Sequence, residues 1–111
     1  MIIATRLLRI RKSGAVIDVQ IRIYIPEIEG TSWKCKYEID WPNDTRVSEG
    51  YGVDSVQALH ISLQKLGLDL YMSDYHSKGQ LFWEKPDEGY GFPVPKNGRD
   101  FLIGEDKRFE G

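Results

Sequence analysis

The chain has 111 residues, of which 41% are hydrophobic and 29% charged, and its formal net charge is −2. These values are ordinary for one globular domain, and the negative charge argues against non-specific binding to nucleic acid or to an anionic membrane. The single cysteine excludes an internal disulfide and any multi-cysteine metal site. Because no stretch approaches the ~20 apolar residues of a membrane span, and the N-terminus lacks a signal core, we expect a cytoplasmic protein without a membrane partner.

The first strand is predicted over Ile2–Lys12, which is rich in aliphatic residues and ends at the turn signal Ser13-Gly14. The adjacent Leu7 and Leu8 interrupt its alternation of apolar and polar residues. This strand is therefore expected to lie at a sheet edge or to carry a β-bulge.

Two further strands are predicted over residues 17–25 and 33–41, where apolar and polar residues alternate almost without error. A period of two places successive side chains on opposite faces of a sheet, so each strand should be half-buried. Pro26 lacks an amide donor and should end strand pairing. Charge predicts the register, because Arg22 opposite Glu38 avoids the like-charge pairs that a shift of two residues would create.

After a polar, glycine-bearing loop, a helix is predicted to start at the N-cap Asp54, with Gln57 completing a variant capping box. An apolar stripe at helical spacing should face the sheet. This stripe comprises Val56, Leu59, Leu63, Leu66 and Leu70. The helix is expected to continue to about His76 and to terminate at Gly79.

The opposite side of this helix is also apolar, roughly 180° from the first stripe at 100° per residue. Its members are Ala58, Ile61, Leu68 and Met72. A helix that is apolar on two sides needs two partners. One is the sheet, and the other is predicted to be either the C-terminal segment or a second subunit.

The last third of the chain is predicted to hold a fourth strand over residues 80–84 and an extended segment over residues 90–95. The two prolines of that segment fix their own φ and bias the residues before them away from helix. Residues 1–95 should form a single domain, and residues 96–111 are predicted to be a loosely docked or disordered tail. The fold class is α+β, with an antiparallel sheet of three to four strands, in the order β-β-β-α-β, packed on one long helix.

The residues that could carry chemistry form no recognisable catalytic, cofactor-binding or metal-ligating pattern. His60 and His76 would be ~24 Å apart on a continuous helix, so they cannot share a metal ion. Cys35 occupies an inward strand position, where burial suppresses thiolate formation. Tyr90 and Phe92 are interpreted either as core packing or as the rim of a binding surface.

Two short stretches, residues 52–59 (GVDSVQAL) and 91–95 (GFPVP), resemble a family of small uncharacterised bacterial proteins. This resemblance implies a single-domain protein without an assigned activity. A looser similarity is to HicB-type antitoxins, which place three antiparallel strands before a helix. Gly52, Asp54 and the pair Ala58-Leu59 fit that outline.

The function inferred from the sequence is that of a non-catalytic binding or regulatory module, an antitoxin-like or immunity-like protein that binds a protein partner or itself. The candidate surface comprises Ile61, Leu68, Met72, Tyr90 and Phe92. The alternative is a small-ligand-binding protein or enzyme with a pocket near residues 90–95. A third hypothesis, nucleic-acid binding through basic residues of the first strand, predicts an affinity that falls steeply with salt. No catalytic residue, metal or cofactor is predicted.

Overall fold

The structure, a computed structural model, describes residues 1–95. Along these residues run β1 (Ile2–Lys12), β2 (Ala15–Tyr24), β3 (Glu27–Glu29), β4 (Ser32–Asp40), β5 (Thr45–Gly52), α1 (Ser55–Tyr71), α2 (Asp74–Ser77) and β6 (Leu81–Phe82). The predicted tail, residues 96–111, lies outside the described residues.

All of these strands belong to one antiparallel sheet. Strand β1 pairs with β2 on one side and with the short β6 on the other. One edge of β4 pairs with β5 from Trp33 to Asp40, so β2 and β3 share the other edge, where they pair with separate parts of β4. Helix α1 follows β5. The chain then returns to the edge of the sheet beside β1, where it forms β6.

The predictions for the first strands are confirmed in part. Strand β1 has the predicted bounds, but its register shift lies between Ile2 and Ala4, and the adjacent Leu7 and Leu8 pair regularly with β2. Strand β2 ends at Tyr24, before Pro26. The predicted register between β2 and β4 is also confirmed, because Arg22 stands opposite Glu38.

The predicted architecture of three to four strands packed on one long helix, in the order β-β-β-α-β, is wrong. Within residues 1–95 the sheet has six strands, and the helical part is divided into α1 and α2. Strand β5 occupies a predicted loop, because TRVSEGYG shows no apolar alternation: its one aliphatic residue, Val47, is 52% exposed at the sheet edge. Strand β3 was missed because three residues are too few to display a period of two.

The helix predicted to reach His76 ends instead at Tyr71. Met72 forms the C-cap, and Ser73 then caps the separate helix α2. The Ser73 hydroxyl donates to the Leu70 carbonyl oxygen at 2.7 Å and accepts from the His76 amide at 3.2 Å. Serine competes for backbone groups in this way and so divides a helix that apolar periodicity alone predicts to be continuous.

The face of α1 that contacts the sheet agrees with the predicted stripe only in part. Leu66 and Leu70 of the stripe are fully buried, but so are Ala58 and Ser62, which lie outside it, and Val56, another member of the stripe, is 73% exposed. The cause is β5, where Gly50 and Gly52 leave room for the helix backbone: a Cβ added to either residue would come within 2.6 Å of an α1 amide nitrogen. The helix therefore rests on its small residues over β4 and β5.

The second element that packs against α1 is the C-terminal segment of the described chain, residues 90–95. This is one of the two predicted alternatives. Tyr90, Phe92 and Val94 are all buried in the core. Gly67 lies against Phe92–Val94. Arg6 holds the same segment from the sheet, because its guanidinium donates to the Tyr90 carbonyl oxygen at 3.0 Å.

Candidate functional site

An open apolar groove of about 380 Å³ lies between the sheet and the start of α1. Its lining residues are Ile25, Pro26, Trp33, Ser55, Val56 and Leu59. They come from the end of β2, the link to β3, the start of β4 and the first turns of α1. The volume is within the range of ligand and peptide pockets, and Ser55 supplies the lining's one side-chain hydroxyl.

Local sequence signals fix both walls of this groove. Pro26 cannot continue the hydrogen bonding of β2, and the chain then pairs Ile28 with Trp33 across β3 and β4. On the other wall, the Asp54 carboxylate accepts from the Gln57 amide at 2.8 Å, and the Gln57 side chain accepts from the Val53 amide at 2.7 Å. This reciprocal capping fixes the position at which α1 begins.

Exposed apolar side chains concentrate around the groove. Seven large apolar side chains that are at least 40% exposed lie at this end of the sheet and form what we term the apolar end: Met1, Ile2, Ile3, Ile25, Ile28, Val53 and Val56. The start of β1 adjoins the groove because the Ile25 amide donates to the Met1 carbonyl oxygen at 2.8 Å. Exposed apolar side chains gathered at one end of a sheet mark an interaction site more often than scattered apolar residues do.

The sheet face away from α1 carries a charge network centred on Arg22. Its guanidinium donates to Asp40 through two bonds of 2.7 Å and to Glu38 at 2.9 Å. The Arg22 bonds hold the pKa of the Asp40 carboxyl below its ordinary value, and bonds from Tyr24 and Arg22 do the same for Glu38. The opposite charges of Arg22, Glu38 and Asp40 on this face are therefore bound to one another.

A second polar cluster joins α1 to the sheet. The hydroxyl of Tyr37 donates to the Asp69 carboxylate, which also accepts from Arg46 at 2.8 Å. Burial, followed by the bond to Asp69, raises the pKa of the Tyr37 phenol. The phenol therefore remains protonated and serves as a donor that ties the helix to β4.

The two residues best suited by type to proton or nucleophile chemistry are both engaged in packing. Burial raises the pKa of the Cys35 thiol, which donates to the Tyr24 carbonyl oxygen at 3.3 Å. Burial lowers the pKa of His76, whose Nδ1 lies 2.5 Å from the Tyr90 hydroxyl. Neither residue lines the apolar groove.

The residues of the predicted surface do not lie together on one exposed patch. Tyr90 is 1% and Phe92 7% exposed, and both pack in the core. Ile61 and Leu68 are half-buried on α1, and Met72 at its C-cap is 68% exposed. Of the five, only Met72 offers a largely free side chain.

The groove itself was missed by sequence reasoning. Two of its residues, Val56 and Leu59, were placed on the stripe predicted to face the sheet, and Trp33 was placed on a half-buried strand. The available signal was Pro26 followed by Ile28, an apolar residue in an otherwise polar turn, together with the apolar pair Val53 and Val56 around the helix cap.

Residues 1–95 contain no group of three or more His, Cys, Asp or Glu side chains arranged to hold a metal ion. No helix in this part of the chain is long and apolar enough to cross a membrane.

The fold and groove define an antiparallel-sheet domain with one helix-covered face and an exposed apolar end. The family model described as "Domain of unknown function (DUF6968)" matches residues 4–94, and the chain belongs to this family. Membership agrees with the predicted resemblance to a family of small uncharacterised proteins. No curated protein and no solved structure matched the chain.

Proposed function

We propose that this domain is a non-catalytic binding module that docks a partner protein at its apolar end. The observation that carries the proposal is the gathering of seven exposed apolar side chains around one open groove. Burying such side chains against a partner would supply about 1.5–3 kcal/mol for each large residue that becomes fully covered.

A protein partner fits this surface better than a small molecule. Small-molecule sites enclose most of their ligand and orient it through a few convergent polar groups. This groove is open, and apolar side chains such as Ile28 and Val53 continue beyond its lining. A partner chain that fills the groove and also covers these neighbours would bury more of the apolar surface.

A non-catalytic role is supported by the state of the reactive side chains. The Cys35 thiol is buried with a raised pKa, and His76 is packed against Tyr90 with a lowered pKa. In residues 1–95 every buried side-chain nitrogen and oxygen has a hydrogen-bond partner. These polar groups stabilise the fold and lie outside the groove. The module would therefore act by binding its partner.

The regulatory part of the proposal is that docking restrains the partner, as an antitoxin-like or immunity-like protein does. A module that acts by binding alone can regulate its partner only by covering or reshaping one of the partner's surfaces. An exposed apolar groove between rigid elements is suited to capturing one protruding segment of such a partner.

The test is nuclear magnetic resonance titration of the full chain with a nine-residue peptide of leucine, isoleucine and valine flanked by serines. We expect amide shifts to change at residues that line the groove, and Val56→Ser to weaken binding about tenfold because a covered valine is lost. Val47→Ser is the matched control, since Val47 is also exposed but lies on β5. Shift changes elsewhere, or no binding by the wild-type chain, would contradict the proposal.

A further inference from the structure

Strand β1 leaves part of one backbone edge without a paired strand. Strand β2 pairs with one edge of β1 along its whole length, whereas β6 pairs with the other edge at Arg9 and Ile10. The chain then turns away at Glu84, which has a φ of 58°, so β6 does not continue along β1. Among residues 1–95, no strand pairs with this side of residues 3–7, which we term the β1 edge.

The backbone groups of Thr5 and Leu7 point to this open side. The Arg11 amide donates to the Gln80 carbonyl oxygen, just before β6, at 2.9 Å. Backbone groups alternate between the two sides of an antiparallel strand, and the register shift of β1 lies before Ala4. Thr5 and Leu7 therefore direct their N–H and C=O groups to the same side as Arg11 does. Such a row of donors and acceptors binds an extended strand by adding it to the sheet.

Within residues 1–95, the β1 edge lacks the protection found at the opposite edge of the sheet. There β5 is the outer strand, and the Lys65 ammonium group donates to the Glu49 carbonyl oxygen at 2.6 Å. Lysine at an edge strand opposes pairing with another chain. The β1 edge has one charged residue, Arg6, whose guanidinium lies 4.0 Å from the Trp83 ring centroid and donates to the Tyr90 carbonyl oxygen. Its charge is thus directed at the C-terminal segment and does not protect the β1 edge.

We infer that the β1 edge is a homodimer interface, at which a second copy of the chain pairs its own β1 edge in antiparallel orientation about a two-fold axis. Thr5 stands opposite Thr5 of the second copy. Arg6 then faces Ala4, and Leu7 faces Ile3, on both sides of the axis. No like charges meet in this register, and two aliphatic pairs form across the interface. The inference goes beyond the proposed function, because no residue of β1 lines the groove.

The neighbouring registers are less favourable. A pairing centred on Arg6 would place two guanidinium groups opposite each other, and like charges directly opposite are destabilising. A pairing centred on Ala4 would set Leu7 opposite Met1, whose carbonyl oxygen already accepts from the Ile25 amide. In the register centred on Thr5 the β1 edge is complementary to itself, which is what a two-fold interface requires.

Disulfide trapping in the full chain tests the register. Residues that face each other in a hydrogen-bonded antiparallel pair have Cα atoms ~5.5 Å apart, within the disulfide range of about 4.4–6.8 Å, so Thr5→Cys should link two copies. Leu7→Cys is the matched control, because Leu7 is also exposed on β1, but the two copies of this residue would be ~14 Å apart along the strands. Cys35 is buried and should not react. We expect Thr5→Cys to form the covalent dimer about tenfold faster than Leu7→Cys under mild oxidation.

Charge variants at Thr5 test the two-fold axis. Thr5→Lys would bring two ammonium groups together and should weaken self-association about tenfold, measured by sedimentation equilibrium from about 10 µM to about 1 mM protein. Thr5→Glu should have the same effect, and an equimolar mixture of the two variants should associate more tightly than either variant alone. Val16→Lys adds the same charge at an exposed position of β2 and should keep the wild-type association.

The contrary outcomes are distinct from those of the proposed function. A wild-type chain that stays monomeric over this range, or equal cross-linking of Thr5→Cys and Leu7→Cys, would overturn the inference and leave the β1 edge to a strand of another protein. A dimer that dissociates on Val56→Ser and not on Thr5→Lys would assign self-association to the groove and would also overturn the inference. The peptide titration tests docking at the groove separately, since the Thr5 variants leave the groove lining intact.

Discussion

Gly67 of α1 lies so close to Pro93 that a Cβ added at Gly67 would stand 2.7 Å from the Pro93 carbonyl oxygen. The same added atom would lie 3.2 Å from Val94 and 3.3 Å from Phe92. The glycine therefore allows the C-terminal segment to pack directly on the helix backbone. Beside this contact the space between α1 and the sheet is filled by core residues, whereas near Val56 it opens into the groove.

We expect Gly67→Ala to destabilise the protein, although alanine is the better helix former. Helix propensity favours alanine by about 1 kcal/mol, but overpacking against a backbone carbonyl costs about 1–3 kcal/mol. The net result should be a loss of up to about 2 kcal/mol in the free energy of unfolding, measured by urea denaturation. His60→Ala, an exposed change on the same helix, should stay within about 0.5 kcal/mol. A stabilised Gly67→Ala would contradict this packing.

The strands with regular alternation and the helix cap could be predicted from sequence, since each depends on neighbouring residues. The Arg22–Glu38 register and the Asp54 cap are cases in which one local arrangement is favoured over its alternatives. Strand β5 could not be predicted in this way. It depends on long-range pairing with β4. Its glycines leave room for the backbone of α1 and create no alternating pattern within the strand.

The groove was beyond prediction because it is defined by a boundary between elements that are distant in sequence. Trp33 and Leu59 each read as core residues, and both are half-buried in the structure. Whether such residues face a filled or an open space depends on where the C-terminal segment stops covering α1. The burial of Tyr90 and Phe92 likewise follows from the packing at Gly67, which sequence spacing does not reveal.

Ser62 is expected to be more important to stability than its size suggests. Its buried hydroxyl accepts from the Gly50 amide at 2.8 Å and donates to the Cys35 carbonyl oxygen, so it joins β4, β5 and α1. Ser62→Ala should lower the free energy of unfolding by about 1–3 kcal/mol because both backbone groups lose this partner. Ser77→Ala, at an exposed position of α2, should have little effect in the same urea titration. Equal effects of the two changes would refute this role.

The charge network on the open sheet face should contribute measurably, unlike an ordinary surface ion pair. A double-mutant cycle with Arg22→Gln and Asp40→Asn should give a coupling of about 1 kcal/mol, because the two bonds are bidentate and partly shielded. The matched cycle uses Arg9→Gln and Asp18→Asn, a pair at 3.5 Å with side chains 50% and 67% exposed. It should give a coupling close to zero. Similar couplings from both cycles would rule out a special contribution from Arg22.

Stability should depend on the protonation of His76. Burial holds its pKa below the ordinary value of 6.5 in the folded protein, so the unfolded chain binds this proton more tightly. The contribution of the neutral imidazole is therefore complete above pH 6.5 and is lost as the pH falls through and below that value. The groups that face His76 are the rings of Tyr71 and Tyr90, and Arg6 donates to the Tyr90 carbonyl oxygen.

We expect His76→Gln to flatten the dependence of the free energy of unfolding on pH between 5 and 7, measured by urea titrations at several pH values. The exposed His60 provides the control, and His60→Gln should keep the wild-type slope. If His60→Gln abolished the slope and His76→Gln retained it, the pH dependence would come from His60 on α1, and this prediction would be wrong.

Arg6 should not be replaceable by lysine, because its guanidinium stacks on two aromatic rings. It lies 4.0 Å from the centroid of Trp83 and 4.7 Å from that of Phe92, and it also donates to the Tyr90 carbonyl oxygen. Lysine would keep the charge but lose the planar stacking. Arg6→Lys should therefore reduce the free energy of unfolding by about 1–2 kcal/mol.

Arg11→Lys is the control, since Arg11 is exposed and 5.3 Å from Phe82, and it should change stability by less than about 0.5 kcal/mol. An equally silent Arg6→Lys would contradict a stabilising role for the stacking of the Arg6 guanidinium.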